Sequence, residues 1–413
     1  MRNIEELIAA SSHRDISGLL AVDPGDLAQY VADTSNDWWK RRKCALALVG
    51  RVPEQYVSDL IARVCDLGET GEVREALLEA LSDRAELLPW LRYEAGLVPS
   101  YAKGPILQAR GRLGDLSAVP ELAVLAASPW DREGTAGQAG LDALVERYGL
   151  DAILADVGAQ SPEARMCQVR LRATDGQDVT YALADPDRAV ASTAQSLTKD
   201  VDRLRAYLDH DEAPTVEAKL WAAYRLHQLT QSEAEIRAVY EALGRPRVEV
   251  PGLDEDMRRA IVHEYAAHCQ RQSDPRWRIE AICTEPPPVD EGAQLDRAIE
   301  ALTAAGLKPL PPVTAGEYHR QGAGSYHVVF VGGGEGGDGD GDCRLAISTL
   351  GWYAQEFSEE DWLYPIARRA LEAAGFRWIG EDVAGIRVTD LCVYSFGRRD
   401  ELTVGELLFY WQD

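Results

Sequence analysis

No Cys-x-x-Cys pair occurs in the 413 residues, and the seven cysteines, at positions 44, 65, 167, 269, 283, 343 and 392, are scattered. That excludes a disulfide framework or a thiolate-pair zinc site, and it is the cysteine usage of a reducing cytoplasm, the expected location. No run of about eighteen apolar residues is present, so no membrane-spanning helix is expected. The first residues, Met1-Arg2-Asn3-Ile4-Glu5-Glu6-Leu7-Ile8, carry acids and lack an apolar core, so no signal peptide is expected either. Positive charge is short: 43 Lys and Arg stand against 68 Asp and Glu, a net charge of −25. A nucleic-acid partner has to be met by phosphate-neutralising cations, so this balance disfavours one, while it suits solubility and basic partners. Lysine itself is rare, at 40, 43, 103, 199, 219 and 308 only; arginine supplies the remaining cations, the usage of a high-GC, bacterial source. There is no Gly-x-Ser-x-Gly elbow and no Gly-Lys-Ser/Thr phosphate loop, so no hydrolase or nucleotide motif is read and no cofactor is implied.

What the chain does have is a recurring short helix. Asp37-Trp38-Trp39-Lys40-Arg41-Arg42-Lys43-Cys44-Ala45-Leu46-Ala47-Leu48-Val49-Gly50 sets the pattern, with Asp37 as N-cap, Gly50 as terminator and an apolar stripe of Trp38, Ala45, Leu48 and Val49. A helix this short cannot bury its stripe alone, so the copies must stack. Starts fall near 38, 73, 104, 133, 163, 187, 215 and 256, at gaps of 24 to 41 residues. Ser161-Pro162 and Asp185-Pro186 each place a capping side chain before a proline, a helix-start signal.

Segments such as Gly71-Glu72-Val73-Arg74-Glu75-Ala76-Leu77-Leu78-Glu79-Ala80-Leu81 and Asp187-Arg188-Ala189-Val190-Ala191-Ser192-Thr193-Ala194 resemble HEAT-like repeats over roughly two thirds of the chain. The resemblance implies an α-solenoid of stacked helix pairs with a concave binding face, and no particular chemistry. The expected fold class is therefore mainly α: a solenoid over 1–283, a proline linker over 284–290, and a small α+β domain over 291–413. In that last part the period changes. Strand-like runs are Tyr326–Val331, Leu345–Thr349, Phe376–Ile379, Leu391–Phe396 and Leu407–Trp411, with helices over Gly292–Gly306 and Glu359–Gly375.

Four features bear on chemistry. Trp38 and Trp39 beside Lys40, Arg41, Arg42 and Lys43 form the one concentrated basic and aromatic stretch, a candidate partner surface, although packed tryptophan and solvated cations on opposite faces also explain it. Trp352 and Tyr353, in a loop after a strand, are the expected exposed aromatic pair. Asp338, Asp340 and Asp342 have the first spacings of a calcium loop, but Cys343 replaces the required glycine and Thr349 the bidentate glutamate, so only weak metal affinity, with nearby His319 or His327, is open. His327 is expected to alternate outward. His263 and His268 are five apart, off a shared helix face, and do not chelate.

The reading is a non-enzymatic interaction scaffold gripping a basic protein or peptide, as bacterial immunity proteins do. The alternative is ligand or metal binding by the C-terminal domain. More distant is a HEAT-like DNA glycosylase, a family that pairs a basic groove with tryptophans and a catalytic aspartate; Trp38, Trp39, Trp130-Asp131 and Trp221 would have to serve it, and its catalytic motif is not matched.

Overall fold

The computed structural model describes residues 4–9, 12, 15–66, 68–93, 103–209, 214–318, 324–332, 343–356 and 363–411. The chain is mainly α with a small sheet-bearing region towards its C-terminus, and it divides into two compact units, Met1–Asp178 and Val179–Asp413.

In the first unit the helices Trp38–Leu46, Gly71–Ala80, Lys103–Arg112, Asp131–Tyr148 and Pro162–Thr174 begin within two residues of the expected repeat starts. Each packs on helices close to it in sequence: Trp38–Leu46 on Gly71–Ala80, Lys103–Arg112 on Asp131–Tyr148, and Val119–Ala127 on both Asp131–Tyr148 and Pro162–Thr174. That neighbour-to-neighbour pattern is how stacked helices bury stripes none could bury alone. Asp37 stands at the N-cap of its helix, but its carboxylate pairs with Lys40 at 3.0 Å and makes no capping bond. The helix stops at Leu46, and tighter turns carry the chain to Gly50 at φ +71°. Ala45 and Leu48 are buried as expected, whereas Trp38 and Val49 are exposed.

The inner residues of this helix include charge. Arg41 and Lys43 are buried: Arg41 closes its fork on buried Glu69 and donates through Nε to the Asn36 carbonyl, and Lys43 donates to the Ser12 carbonyl at 2.9 Å. A buried carboxylate, Asp115, receives Arg92, Arg110 and Ser117. Burial alone would raise its pKa, but the hydrogen bonds from Arg92, Ser117 and Arg110 outweigh it and hold the carboxyl well below the usual range.

Three helices of this unit, Lys103–Arg112, Val119–Ala127 and Asp131–Tyr148, draw close through glycines. A Cβ on Gly111 would lie 2.6 Å from the Cα of Gly140, one on Gly140 would lie 2.6 Å from Leu122 Cδ2, and one on Gly137 would lie 2.8 Å from the Cα of Ala126.

In the second unit, helices Arg188–Leu197, Val216–Thr230 and Glu255–Tyr265 again start near the expected positions. Asp185-Pro186 does not open its helix: the Asp185 carboxylate is spent on the Asp187 N–H, and Asp187 caps Ala189 and Val190. A five-stranded sheet runs in the order Lys308–Pro309, Tyr326–Gly332, Cys343–Ser348, Tyr353–Glu356, Arg377–Trp378, antiparallel except for the last, parallel pair, whose crossover contains the Tyr364–Ala373 helix. Helices Glu291–Ala304 and Tyr364–Ala373 cover one face through Leu295, Ala298, Leu302, Ala367 and Leu371; Phe409 and Trp411 lie against the other. His327, expected to face outward, is instead buried, with Nδ1 accepting from the Ala315 N–H.

A separate hairpin, Arg387–Ser395 with Arg398–Thr403, turns through Phe396 and Gly397, both at positive φ. Of the expected strand Leu407–Trp411, Leu407 and Leu408 instead end the helix Val404–Leu408, and Trp411 makes a single antiparallel bridge to Gly324. Thr403 accepts from the Glu406 N–H while the Glu406 side chain accepts from the Thr403 N–H, and this capping box decides the local conformation.

Segment 284–290 lies inside the second unit, and the cores on its two sides are shared. Met257, Ile261, Tyr265 and Trp277 pack with Leu350, Val388, Leu391, Leu402 and Tyr410. Residues 270–274 run along the hairpin edge: the N–H groups of Gln270 and Asp274 donate to the carbonyls of Cys392 and Asp390, and Ser273 Oγ bonds both Cys392 N–H and its carbonyl. Asp274, fully buried, accepts from Arg188 at 2.9 Å and from Arg276 at 2.6 Å, and Arg188 also pairs with Glu217 and Asp390.

Two stability outcomes follow. Gly137→Leu drives a side chain into the Ala126 backbone and lowers stability by about 3 kcal/mol or more, whereas Gly134→Ala in the same helix, where a Cβ meets nothing nearer than 3.4 Å, gains up to about 1 kcal/mol from helix propensity; thermal melts separate them. Asp274→Ala leaves Arg188 and Arg276 without their buried counter-charge and lowers stability by about 3–5 kcal/mol in urea titration.

Candidate functional site

A groove of about 690 Å³ opens in the first unit between helices Gly71–Ala80, Lys103–Arg112 and Asp131–Tyr148. That volume falls in the range of ligand-binding clefts. Its floor is made of small or apolar groups, Leu78, Gly104, Pro105, Ala109 and Ala136. Gly104 lets two helices draw near, since a Cβ there would touch the Cβ of Ala136 at 3.5 Å. Trp130 stands at one wall, 42% exposed, at the N-cap of the Asp131–Tyr148 helix. The turn before it is fixed by Ser128, whose hydroxyl donates to Glu133 at 2.6 Å and accepts from the Trp130 N–H at 3.2 Å.

The rim is charged. Glu75, Glu79, Asp131 and Glu133 face Arg112 and Arg132, so four carboxylates are set against two guanidinium groups. Glu75 is the least exposed of the acids in an ion pair here and meets Arg132, whose side chain is 70% exposed. Burial raises the pKa of Glu75; Arg132 works against the shift, Glu72 adds to it and Arg42 opposes it. The carboxylate is thus a half-buried charge that gains from any cation brought to it.

The residues singled out from the sequence do not form one patch. At about 100° per residue, Lys40, Arg41 and Arg42 point in different directions. Lys40 pairs with Glu5 at 2.9 Å and with Asp37, and lies over the Trp39 ring. Arg41 is consumed by Glu69 in the interior. Arg42 is half-buried, and its charge reaches Glu75, which links this helix to the groove. Trp38 is exposed and Trp39 half-buried. Trp352 is 38% exposed between Arg297 and Phe376, but Tyr353 begins a strand and is buried, so the two are not an exposed pair. Asp338, Asp340, Asp342 and His319 lie outside the described residues. Among the described residues no group of three or more His, Cys, Asp or Glu side chains could hold a metal ion. His263 bonds Thr284 at 3.0 Å and His268 lies beyond the end of that helix, so they share no site. Trp221 is core. Burial pushes the Cys44 and Cys167 thiols up to about 12, which leaves them unreactive near neutral pH.

Sequence reasoning named Trp130 and Asp131 but missed Glu75, Glu79, Gln108, Arg112, Arg132, Glu133 and Thr135. The available signal was the set of small residues Gly104, Ala109 and Ala136 on neighbouring helices, which marks close backbone approach.

No helix among the described residues is long and apolar enough to cross a membrane. Comparison with known proteins finds no matching family, no matching curated protein and no matching solved structure, so the likeness to HEAT-like repeats rests on the repeat pattern alone.

Proposed function

We propose that the protein is a non-enzymatic interaction scaffold whose first-unit groove receives a segment of a basic protein or peptide partner. The observation that carries this reading is the combination of a solvent-facing tryptophan with an excess of carboxylates around an apolar floor. Tryptophan supplies a large contact area at little entropic cost, and complementary charge speeds encounter and rejects acidic competitors. A net charge of −25 adds long-range attraction for a cationic partner, as in an inhibitor or immunity protein toward a basic toxin. A glycosylase reading finds Trp130 and Asp131 in the groove, but a phosphate backbone entering there would meet Glu75, Glu79 and Glu133 as well.

The test uses the intact chain as bait in native extract, beside a Trp130→Ala/Glu75→Gln variant, followed by calorimetric titration of the purified partner. The expected result is a basic protein held stoichiometrically by the wild type, with affinity at least about tenfold weaker in the variant and falling as salt is raised from about 0.05 to about 0.5 M. Equal capture by both baits would remove the groove from the proposal. Binding also weakens on acidification. Because burial raises the Glu75 pKa, its charge is lost at higher pH than that of an ordinary glutamate, and affinity measured from pH 7 downward declines earlier.

A further inference from the structure

We infer that the group recognised in this groove is an arginine side chain of the partner, and that Arg132 holds its place in the free protein. This rests on the groove reading above and deepens it. Arg132 sits two residues after Trp130, and its guanidinium crosses from the Asp131–Tyr148 helix to Glu75 on the Gly71–Ala80 helix, 57 residues away in sequence. The two members differ in setting: Glu75 is 23% exposed and Arg132 is 70% exposed. The carboxylate belongs to the wall, and the cation reaches it from solvent.

An ion pair with one partner so exposed contributes only about 0–1 kcal/mol, so exchanging its guanidinium for another costs little. The incoming group also gains the face of Trp130, a cation–π contact of about 0.5–2 kcal/mol depending on how far water is excluded. Arginine fits better than lysine because its planar fork binds a carboxylate through two parallel N–H bonds, whereas an ammonium offers a point charge. The chain uses this fork on its own carboxylates, in Arg41 with Glu69 and Arg258 with Glu280. Glu79 and Glu133, on the rim, stand ready for a second basic residue of the same segment.

The experiment is fluorescence anisotropy with a labelled ten-residue Gly/Ser peptide carrying three arginines, beside counterparts in which these are lysine or citrulline, the neutral isostere. The full chain is used as wild type, Arg132→Gln, Glu75→Gln and Arg205→Gln, the last removing the same charge from the second unit. Thermal melts confirm that each variant is folded. Removing the resident guanidinium is expected to tighten the arginine peptide about fivefold, the equivalent of about 1 kcal/mol, and Arg205→Gln to change it less than about twofold. Glu75→Gln is expected to weaken it in either background, and citrulline to reduce binding to the level of an arginine-free peptide. If the arginine peptide binds with dependence on Glu75 but Arg132→Gln does not tighten it, the placeholder role of Arg132 is wrong and the groove reading stands. Lysine and arginine peptides binding alike would overturn the choice of guanidinium. If the arginine peptide binds neither wild type nor Arg132→Gln, while the natural partner is still lost from the Trp130→Ala/Glu75→Gln bait, the ligand class is wrong but the groove is not. Loss of both results overturns both proposals.

Discussion

The interaction that recurs through both units is an arginine guanidinium paired with a carboxylate that has left solvent. Arg41 with Glu69 and Arg110 with Asp115 stand in the first unit, Arg258 with Glu280 and Arg188 with Asp274 in the second. Each pairing joins segments that the hydrophobic pattern alone would leave free to slide. Arg188 is the clearest case, since it binds Asp274 at the start of one helix, Glu217 at the start of another and Asp390 in the hairpin. Removing one partner of such a pair strands a buried charge, so the pairs penalise misregister more than they reward assembly. An arginine-rich, lysine-poor composition suits this use, because only the guanidinium offers a planar, permanently charged fork.

The groove follows from the same chemistry placed at a surface. Where a carboxylate is buried completely, its arginine is locked. Glu75 is buried only in part and Arg132 remains largely in water, so the pairing is reversible. A scaffold for a cationic partner needs nothing more elaborate than such an incomplete salt bridge, an exposed tryptophan and an apolar floor. A net charge of −25 would also concentrate a cationic partner around the chain.

Helical content and helix starts were legible in the sequence because they depend on local signals, namely capping residues, prolines and stripes of Ala and Leu. The N-cap at Ser161 bonds the Ala164 N–H as its motif requires. What was not legible depends on partners distant in sequence. Arg41 and Lys43 read as solvated cations; Glu69 and the Ser12 carbonyl, 28 and 31 residues away, draw them inside. His327 read as outward-facing because one covered sheet face was assumed, whereas helices on one side and Phe409 and Trp411 on the other cover both. The Leu407–Trp411 run looked like a strand by composition, and the Thr403–Glu406 capping box overrode that composition. The proline-rich segment 284–290 interrupts helix, as proline must, yet lies within one compact unit because residues 270–274 pair with the hairpin beyond it. Of the groove, the tryptophan was visible in advance. So was Asp131 beside it, but Glu75, Glu79 and Glu133 were not, since two come from the Gly71–Ala80 helix and one from the Asp131–Tyr148 helix.

Gly111 and Gly137 bring the Asp131–Tyr148 backbone directly against those of Lys103–Arg112 and Val119–Ala127, and two of these helices, Lys103–Arg112 and Asp131–Tyr148, form two sides of the groove. Side chains at an interface can change rotamer to accommodate a guest; apposed backbones cannot. The spacing of those two sides is consequently fixed, and a partner has to match it rather than mould it. Such a site has little freedom left to lose on binding, and discrimination between related partners then shows in how long each one stays rather than in how fast it arrives.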